Sequence, residues 1–430
     1  MKNKLFQILE DKFLPIAGKV GEQRHLQAIR DGLIAILPML IIGSVALIVA
    51  FPPVQFLEEL VAPYVDRILM IESATFGLMA LFASFTISYS LSKKYDMAPL
   101  ESAILGLSSF ILLIPLTENG NITLSWLGSD GLFIAILVAL YSVEVQKFIV
   151  KKDITIKMPK SVPPNVARSF SALIPGFLVL LSIWILNQIS LTAASISIPE
   201  LINNTITAPL LLIGGTFPGV VVLLIAISVF WFVGIHGSSL VVGTAGPVLL
   251  TLLDQNTNAL AEGAEVLPNI INQPFIEIFI HMGGSGSTLV LALLLIFAAK
   301  SKQFKAIGKT AIGPGLFNIN EPIIFGMPIV MNPVMLIPFI LAPLSAATIT
   351  YIAMALELVA RPYTLIPWTT PPLISGFLAT GDWRAVILQI ITMTVAGLIY
   401  YPFMKILDEK NLEEEKKAEA EAEVEEAATA

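Results

Sequence analysis

The stretch GLFNINEPIIFG, residues 315–326, sets one carboxylate, Glu321, between two apolar runs. Gly315 opens it, Pro322 follows the glutamate, and Gly326 closes it. Proline and glycine at that density predict a broken helix rather than a continuous one. Asn318 and Asn320 give the break a polar, non-helical tip. The sequence on either side decides what kind of break this is.

The surroundings are apolar. Of 430 residues, 56% are hydrophobic and 13% charged, and mean hydropathy is +0.83. Soluble domains carry about 25% charged residues. The composition is that of an integral membrane protein, and no nucleic-acid partner is expected. The polar, partly amphipathic lead-in at residues 1–32 has no small-residue cleavage site, so no removable signal peptide is expected. Cysteine is absent, which excludes a disulfide, a thiolate metal site and a cysteine nucleophile on this chain.

A bilayer-spanning helix needs roughly 20 apolar residues. Such runs lie near 31–51, 74–92, 98–116, 131–150, 170–193, 217–235, 237–253, 274–299, 334–358 and 385–405, about ten in all. Residues 195–216 are weakly apolar and suit the interface. Two more apolar segments, near 311–333 and 362–381, are crowded with Gly and Pro.

Charge gives the topology. With the N-terminus inside, 22 of the 25 Lys and Arg fall on the cytoplasmic side, including the basic loop at 147–169; the exceptions are Arg67, Arg361 and Arg384. That count holds only if 311–333 enters and leaves from the inside, and 362–381 from the outside. The expected fold is therefore an all-α integral membrane protein of about ten transmembrane helices plus two oppositely facing re-entrant hairpins. Irregular backbone at membrane depth is tolerated where it lines a cavity, and opposed broken segments commonly build a transporter's substrate site.

The unusual polar residues cluster late in the chain. We therefore expect an N-terminal scaffold at 1–195, a substrate-binding part at 196–407 and a tail at 408–430. From Asp408 onward the tail holds ten acids and three bases, which accounts for the whole formal charge of −7. Its Ala/Glu composition predicts a solvated helix or a disordered segment.

Glu321 is the sharpest candidate. A carboxylate in a membrane segment is a functional hypothesis by default, and it suits proton transfer; the alternative is a glutamate that holds the hairpin by accepting backbone N–H bonds. His236, in FWFVGIHGSSLV (230–241), lies at the break between two spans with Gly234 and Gly237 beside it. It suits a general base or hydrogen-bond partner, or a structural histidine at a helix end. In EIFIHMGGSGST (277–288), Glu277 and His281 stand four apart, on one helical face. Gly284, Ser285 and their neighbours then offer backbone groups and small hydroxyls, for a ligand or for close helix packing. Trp368, in RPYTLIPWTTPPLISG (361–376), suits stacking on a sugar ring or anchoring at the interface. Glu144 is expected to be interfacial or ion-paired. No metal cluster is evident, and no cofactor is implied.

FNINEPIIFG (317–326) resembles the Glu-Pro signature of membrane IIC components of the bacterial phosphoenolpyruvate-dependent sugar phosphotransferase system, in the lactose/cellobiose/diacetylchitobiose group. The opening KFLPIAGKVGEQRHLQAIRDGLIAILPMLIIGS (12–44), the GIHGSS segment and HMGGSGST are similar to that group too, and the likeness covers roughly residues 5–407. It implies a homodimer formed by the first five spans, and an elevator-like motion of the second part in a bacterial cytoplasmic membrane with both termini inside. It implies that Glu321 and His236 engage the hydroxyl that receives phosphate, normally on C6 of a disaccharide. Trp368 would stack on a ring; His281, Gly284 and Asn320 would be lesser contacts, with Asn318 and Ser285 beside them. The phosphoryl donor would be a phosphocysteine on a separate cytoplasmic IIB protein, which the absence of cysteine here fits.

Two other classes remain open from the residues alone. An ion-coupled secondary transporter would use Glu321 as its proton carrier and deliver unmodified sugar. A membrane enzyme would use His236 and Glu321 as acid and base on a lipid or polymer.

Overall fold

The computed structural model describes residues 22–429 except 53, 54, 118, 160, 161, 163 and 328. The lead-in at residues 1–21 lies outside the described residues. Apart from one isolated bridge between Leu116 and Ile122, the described residues form helices and the turns joining them. Helices satisfy their own backbone groups, which lipid requires.

In chain order the main helices are α1 (Arg24–Ala50), α2 (Met79–Lys93), α3 (Pro99–Leu113), α4 (Leu132–Lys151), α5 (Pro164–Ala194), α6 (Phe217–Phe232), α7 (Gly237–Ala261), α8 (Leu289–Phe297), α9 (Lys302–Leu316), α10 (Glu321–Gly326), α11 (Pro333–Ala355), α12 (Ile374–Thr380) and α13 (Arg384–Thr429). Six described helices are long and apolar enough to cross a bilayer. Ile198–Gly214 with Phe217–Phe232 makes a seventh if counted as one span.

The described residues divide into two compact units, Thr216–Val241 with Ala259–Ala430 and Gly18–Gly215 with Val242–Asn258. In the second of these, small residues let helices approach closely. Gly32 of α1 abuts Ile87 of α2, and Gly106 of α3 abuts Ser88, with no room for a Cβ at either. Thr86 Oγ1 donates to Gly32 O across α1 and α2 at 2.9 Å. Glu144 is indeed ion-paired: it meets His25 Nε2 at 2.9 Å and Lys147 Nζ at 3.2 Å, and accepts from the Tyr95 hydroxyl.

In the other unit α6 is tied to α11 by Ser228 Oγ, which donates to Phe339 O at 3.2 Å. α8 crosses α13 at Gly397, which abuts Val290. Here the expected spans need correction. The run 274–299 is not one helix. It forms a π-helical turn at Phe275–Ile280, then a loop, then α8. Gly283, Gly284, Gly286 and Ser287 all take positive φ, which ends the helical ladder. Glu277 lies in this π-helical turn and accepts from Gln273 Nε2 at 3.0 Å, and His281 caps the turn's end.

The segment near 311–333 forms a helical hairpin. α9 descends to Leu316, residues 317–320 turn, and α10 runs back so that Gly326 lies against Ile307. The segment near 362–381 doubles back too: Tyr363 and Thr364 donate their N–H groups to Ala379 O, at 3.0 and 3.4 Å. The acidic tail is helical. It continues α13, which is 46 residues long.

Candidate functional site

α6 ends at Phe232, and Gly234 turns the chain at φ +82°. His236 then stands just before α7. Its Nδ1 accepts the backbone N–H of Ser239 at 3.1 Å, a side-chain cap on the first turn of α7. A ring nitrogen that accepts carries no proton, so the proton of the neutral ring sits on Nε2. Trp231, 2% exposed, braces the imidazole with ring centroids 4.4 Å apart.

Nε2 of His236 lies 3.7 Å from Oε1 of Glu321. That is too long for a hydrogen bond. Both side chains face open space, at 48% and 44% exposure. An oxygen between them can accept from Nε2–H and donate to the carboxylate, each at ordinary hydrogen-bond length.

Two asparagines hold Glu321 in place. Asn320 donates from Nδ2 to Ser285 O at 2.7 Å, and Gly284, at φ +93°, lies so close to the Asn320 side chain that a Cβ would not fit. The Ser285 hydroxyl meets the Ser238 hydroxyl, two residues beyond His236. A closed ring results: His236, Ser238, Ser285, Asn320, Glu321. Asn318, at φ +61°, accepts Gly283 N–H at 2.7 Å and donates to Trp368 O and to Thr370 O, the latter at 3.2 Å. One amide thus joins the glycine loop, the hairpin tip and the proline-rich segment.

More amides stitch the outer layer. Gln389 of α13 donates to Ile278 O at 2.9 Å and accepts Leu373 N–H at 2.7 Å. Asn272 donates to Pro362 O at 2.9 Å and accepts Phe275 N–H at 3.2 Å. The Tyr400 hydroxyl donates to Gly286 O at 2.7 Å. Asp382 joins Ala360 to the start of α13, accepting from the N–H groups of Ala360 and Arg384, both at 2.9 Å. Burial alone would push its carboxyl up; hydrogen bonds from Arg384 and from those two backbone groups outweigh it and hold the group below the usual carboxylate range.

The sequence candidates thus sort by task. Glu321 and His236 face each other. Asn318, Asn320, Gly284 and Ser285 build the frame around them. Trp368 gives its carbonyl to Asn318 while its side chain lies out, the residue 47% exposed. His281 is buried at 7% exposure, and its imidazole has no hydrogen-bond partner among the described residues. Arg361 is held by Leu267 O and Pro268 O, and Arg384 by Asp382. Sequence reasoning missed Ser238, Trp231, Asn272, Gln389 and Tyr400. The signal for Gln389 was present: a lone amide in the apolar run AVILQIITM. Among the described residues no three His, Asp or Glu side chains converge as metal ligands.

This architecture defines a class: a multi-pass helical membrane protein whose polar groups gather where its helices break. The sequence pattern of the family "Phosphotransferase system, EIIC" matches residues 30–343. The cellobiose-specific EIIC component of Geobacillus stearothermophilus is 43% identical, over 96% of each chain. The lactose-specific EIICB component of Staphylococcus haemolyticus is 33% identical over 96% of this chain and 72% of its own. The crystal structure of the transporter ChbC, the IIC component of an N,N'-diacetylchitobiose-specific phosphotransferase system, superposes with a TM-score of 0.91 at 42% identity. It covers 95% of this chain and 99% of that one. The chain belongs to the phosphotransferase system EIIC family.

Proposed function

We propose that this permease takes up a β-linked disaccharide of the cellobiose or diacetylchitobiose type and presents its C6 hydroxyl, between Glu321 and His236, to a phosphoryl group carried by a separate IIB protein. The observation that carries the reading is the 3.7 Å gap between an Nε2–H donor and a carboxylate. The specificities named for the Geobacillus relative and for ChbC support the sugar class. The EIICB name of the staphylococcal relative supports a IIB partner.

In this reading the sugar oxygen accepts from His236 Nε2–H and points its own proton at Glu321. The oxygen attacks phosphorus, the phosphorus–sulfur bond of the partner's phosphocysteine breaks, and the thiolate leaves with the partner. Glu321 takes the hydroxyl proton, a contribution of about 10²–10⁴-fold. Holding oxygen and phosphorus in line supplies much of the rest. Trp368 stacks on a sugar ring. Once Glu321 passes that proton to water, the anionic product sits beside a carboxylate, so it binds less well than the sugar and leaves inward. Residues 196–407 carry the sugar across by alternating access, and residues 1–195 hold a homodimer in the bacterial cytoplasmic membrane with both termini inside.

The test uses membrane vesicles supplied with phosphoenolpyruvate, the soluble phosphotransfer proteins and labelled cellobiose or diacetylchitobiose. Mass spectrometry of the internal pool is expected to find sugar 6-phosphate, lost in Glu321→Gln. Free sugar that accumulates without phosphoenolpyruvate, and is abolished by a protonophore, would overturn the reading.

A further inference from the structure

The run KSKQFKAIGKT, residues 300–310, opens α9, the helix that leads into the tip bearing Glu321. Lys302, Lys305 and Lys309 are spaced by three and four residues, which puts them on one helical face. All three are exposed, while Phe304, Gly308 and Ala311 face inward. Lys305 and Lys309 have no ion-pair partner among the described residues. The two free ammonium groups, beside a phosphoryl-transfer site, attract anions and speed their encounter.

This face already holds an acidic segment. Glu415 accepts the N–H groups of Lys302 and Gln303, at 3.0 and 2.8 Å, and Glu419 pairs with the Lys302 ammonium at 2.8 Å. The chain's own tail therefore displays the complementarity at one end of the row and leaves the other two lysines open. The position is also right. Helical rise places Lys309 about 10 Å from Leu316, where the hairpin turns toward Glu321. A body seated on Lys305 and Lys309 lies along the helix that leads into the turn before Glu321.

We infer that the exposed lysine face of α9 is the docking surface for the phosphorylated partner protein, through acidic side chains around its phosphocysteine. The inference rests on the proposed phosphoryl transfer. Charges at the rim of an interface act mainly on encounter and on salt dependence. They leave the chemical step alone.

The experiment titrates a phosphorylated cellobiose-type IIB protein against the full chain in neutral-lipid nanodiscs, at saturating cellobiose, for wild type and for the Lys305→Glu/Lys309→Glu double variant. The milder Lys305→Gln/Lys309→Gln pair serves if the reversal fails to fold, and cellobiose affinity checks the fold of each. The expected result is a KM for the phosphoprotein raised about tenfold by charge reversal. Its salt dependence should flatten, with kcat and cellobiose affinity unchanged. An unchanged KM in a variant that binds cellobiose overturns the inference and leaves the proposed transfer standing. A loss seen only in vesicles of anionic lipid also overturns it, because the lysines then serve the bilayer. If wild type passes no phosphate to cellobiose, the proposed transfer fails and the inference falls with it.

Discussion

His236 is held through one nitrogen, and in the proposed function it works through the other. Its Nδ1 is committed to Ser239 N–H, so only Nε2 can address a ligand. Two amide replacements separate these tasks. In His236→Gln the side-chain NH2 reaches roughly the place of Nε2; in His236→Asn it stops near Nδ1. His236→Gln is therefore expected to keep sugar affinity within about tenfold of wild type, and His236→Asn to lose more, as one donor hydrogen bond is worth roughly 0.5–1.5 kcal/mol. Isothermal titration with cellobiose reads the difference; equal losses would mean that Nε2 is not the donor. His236 and Glu321 were legible in the sequence because a titratable side chain in an apolar run stands out. The task of Asn318 was not. Its partners lie at Gly283, Trp368 and Thr370, far away in sequence, and an amide looks the same whether it meets a ligand or a backbone carbonyl.

At the scale of elements, the breaks are held as deliberately as the helices. Leu373 sits at φ +76°, a costly conformation for a side chain with a Cβ, and its N–H goes to Gln389. The same Gln389 holds Ile278 O at the π-helical turn. Gln389→Leu keeps the volume and deletes both bonds, leaving the buried Ile278 carbonyl dry at about 1–3 kcal/mol and the half-buried Leu373 N–H unpaired. Hydrogen exchange at 373–380 and 276–282 should rise together in this variant; a rise in only one segment would show that Gln389 does not couple them. The proline-rich break was legible because Pro and Gly forbid a plain helix. The break inside 274–299 was not, because glycines in an apolar run read equally well as close helix packing. What decides there is the set of backbone bonds, including Tyr400 OH to Gly286 O.

At the scale of the molecule, the acidic tail has a structural task that composition alone did not reveal. Asp408 accepts from Lys300 and Ser301 N–H at 2.7 and 3.0 Å, and Glu415 takes the next two, so α13 caps the start of α9 with carboxylates. Truncation after Leu412 removes Glu415 and keeps Asp408. Amide exchange should then quicken at Lys302 and Gln303 while Lys300 and Ser301 stay protected; uniform protection would show that the tail does not cap the helix. The amides that stitch the site have a different kind of consequence. Asn272, Asn318, Asn320 and Gln389 tie its segments together without a formal charge among them. An elementary charge carried across a membrane at 100 mV costs or gains about 2.3 kcal/mol. If the proposed sugar site changes its depth in the bilayer, fastenings made of neutral groups do no electrical work, so these joints add nothing to any voltage dependence of uptake.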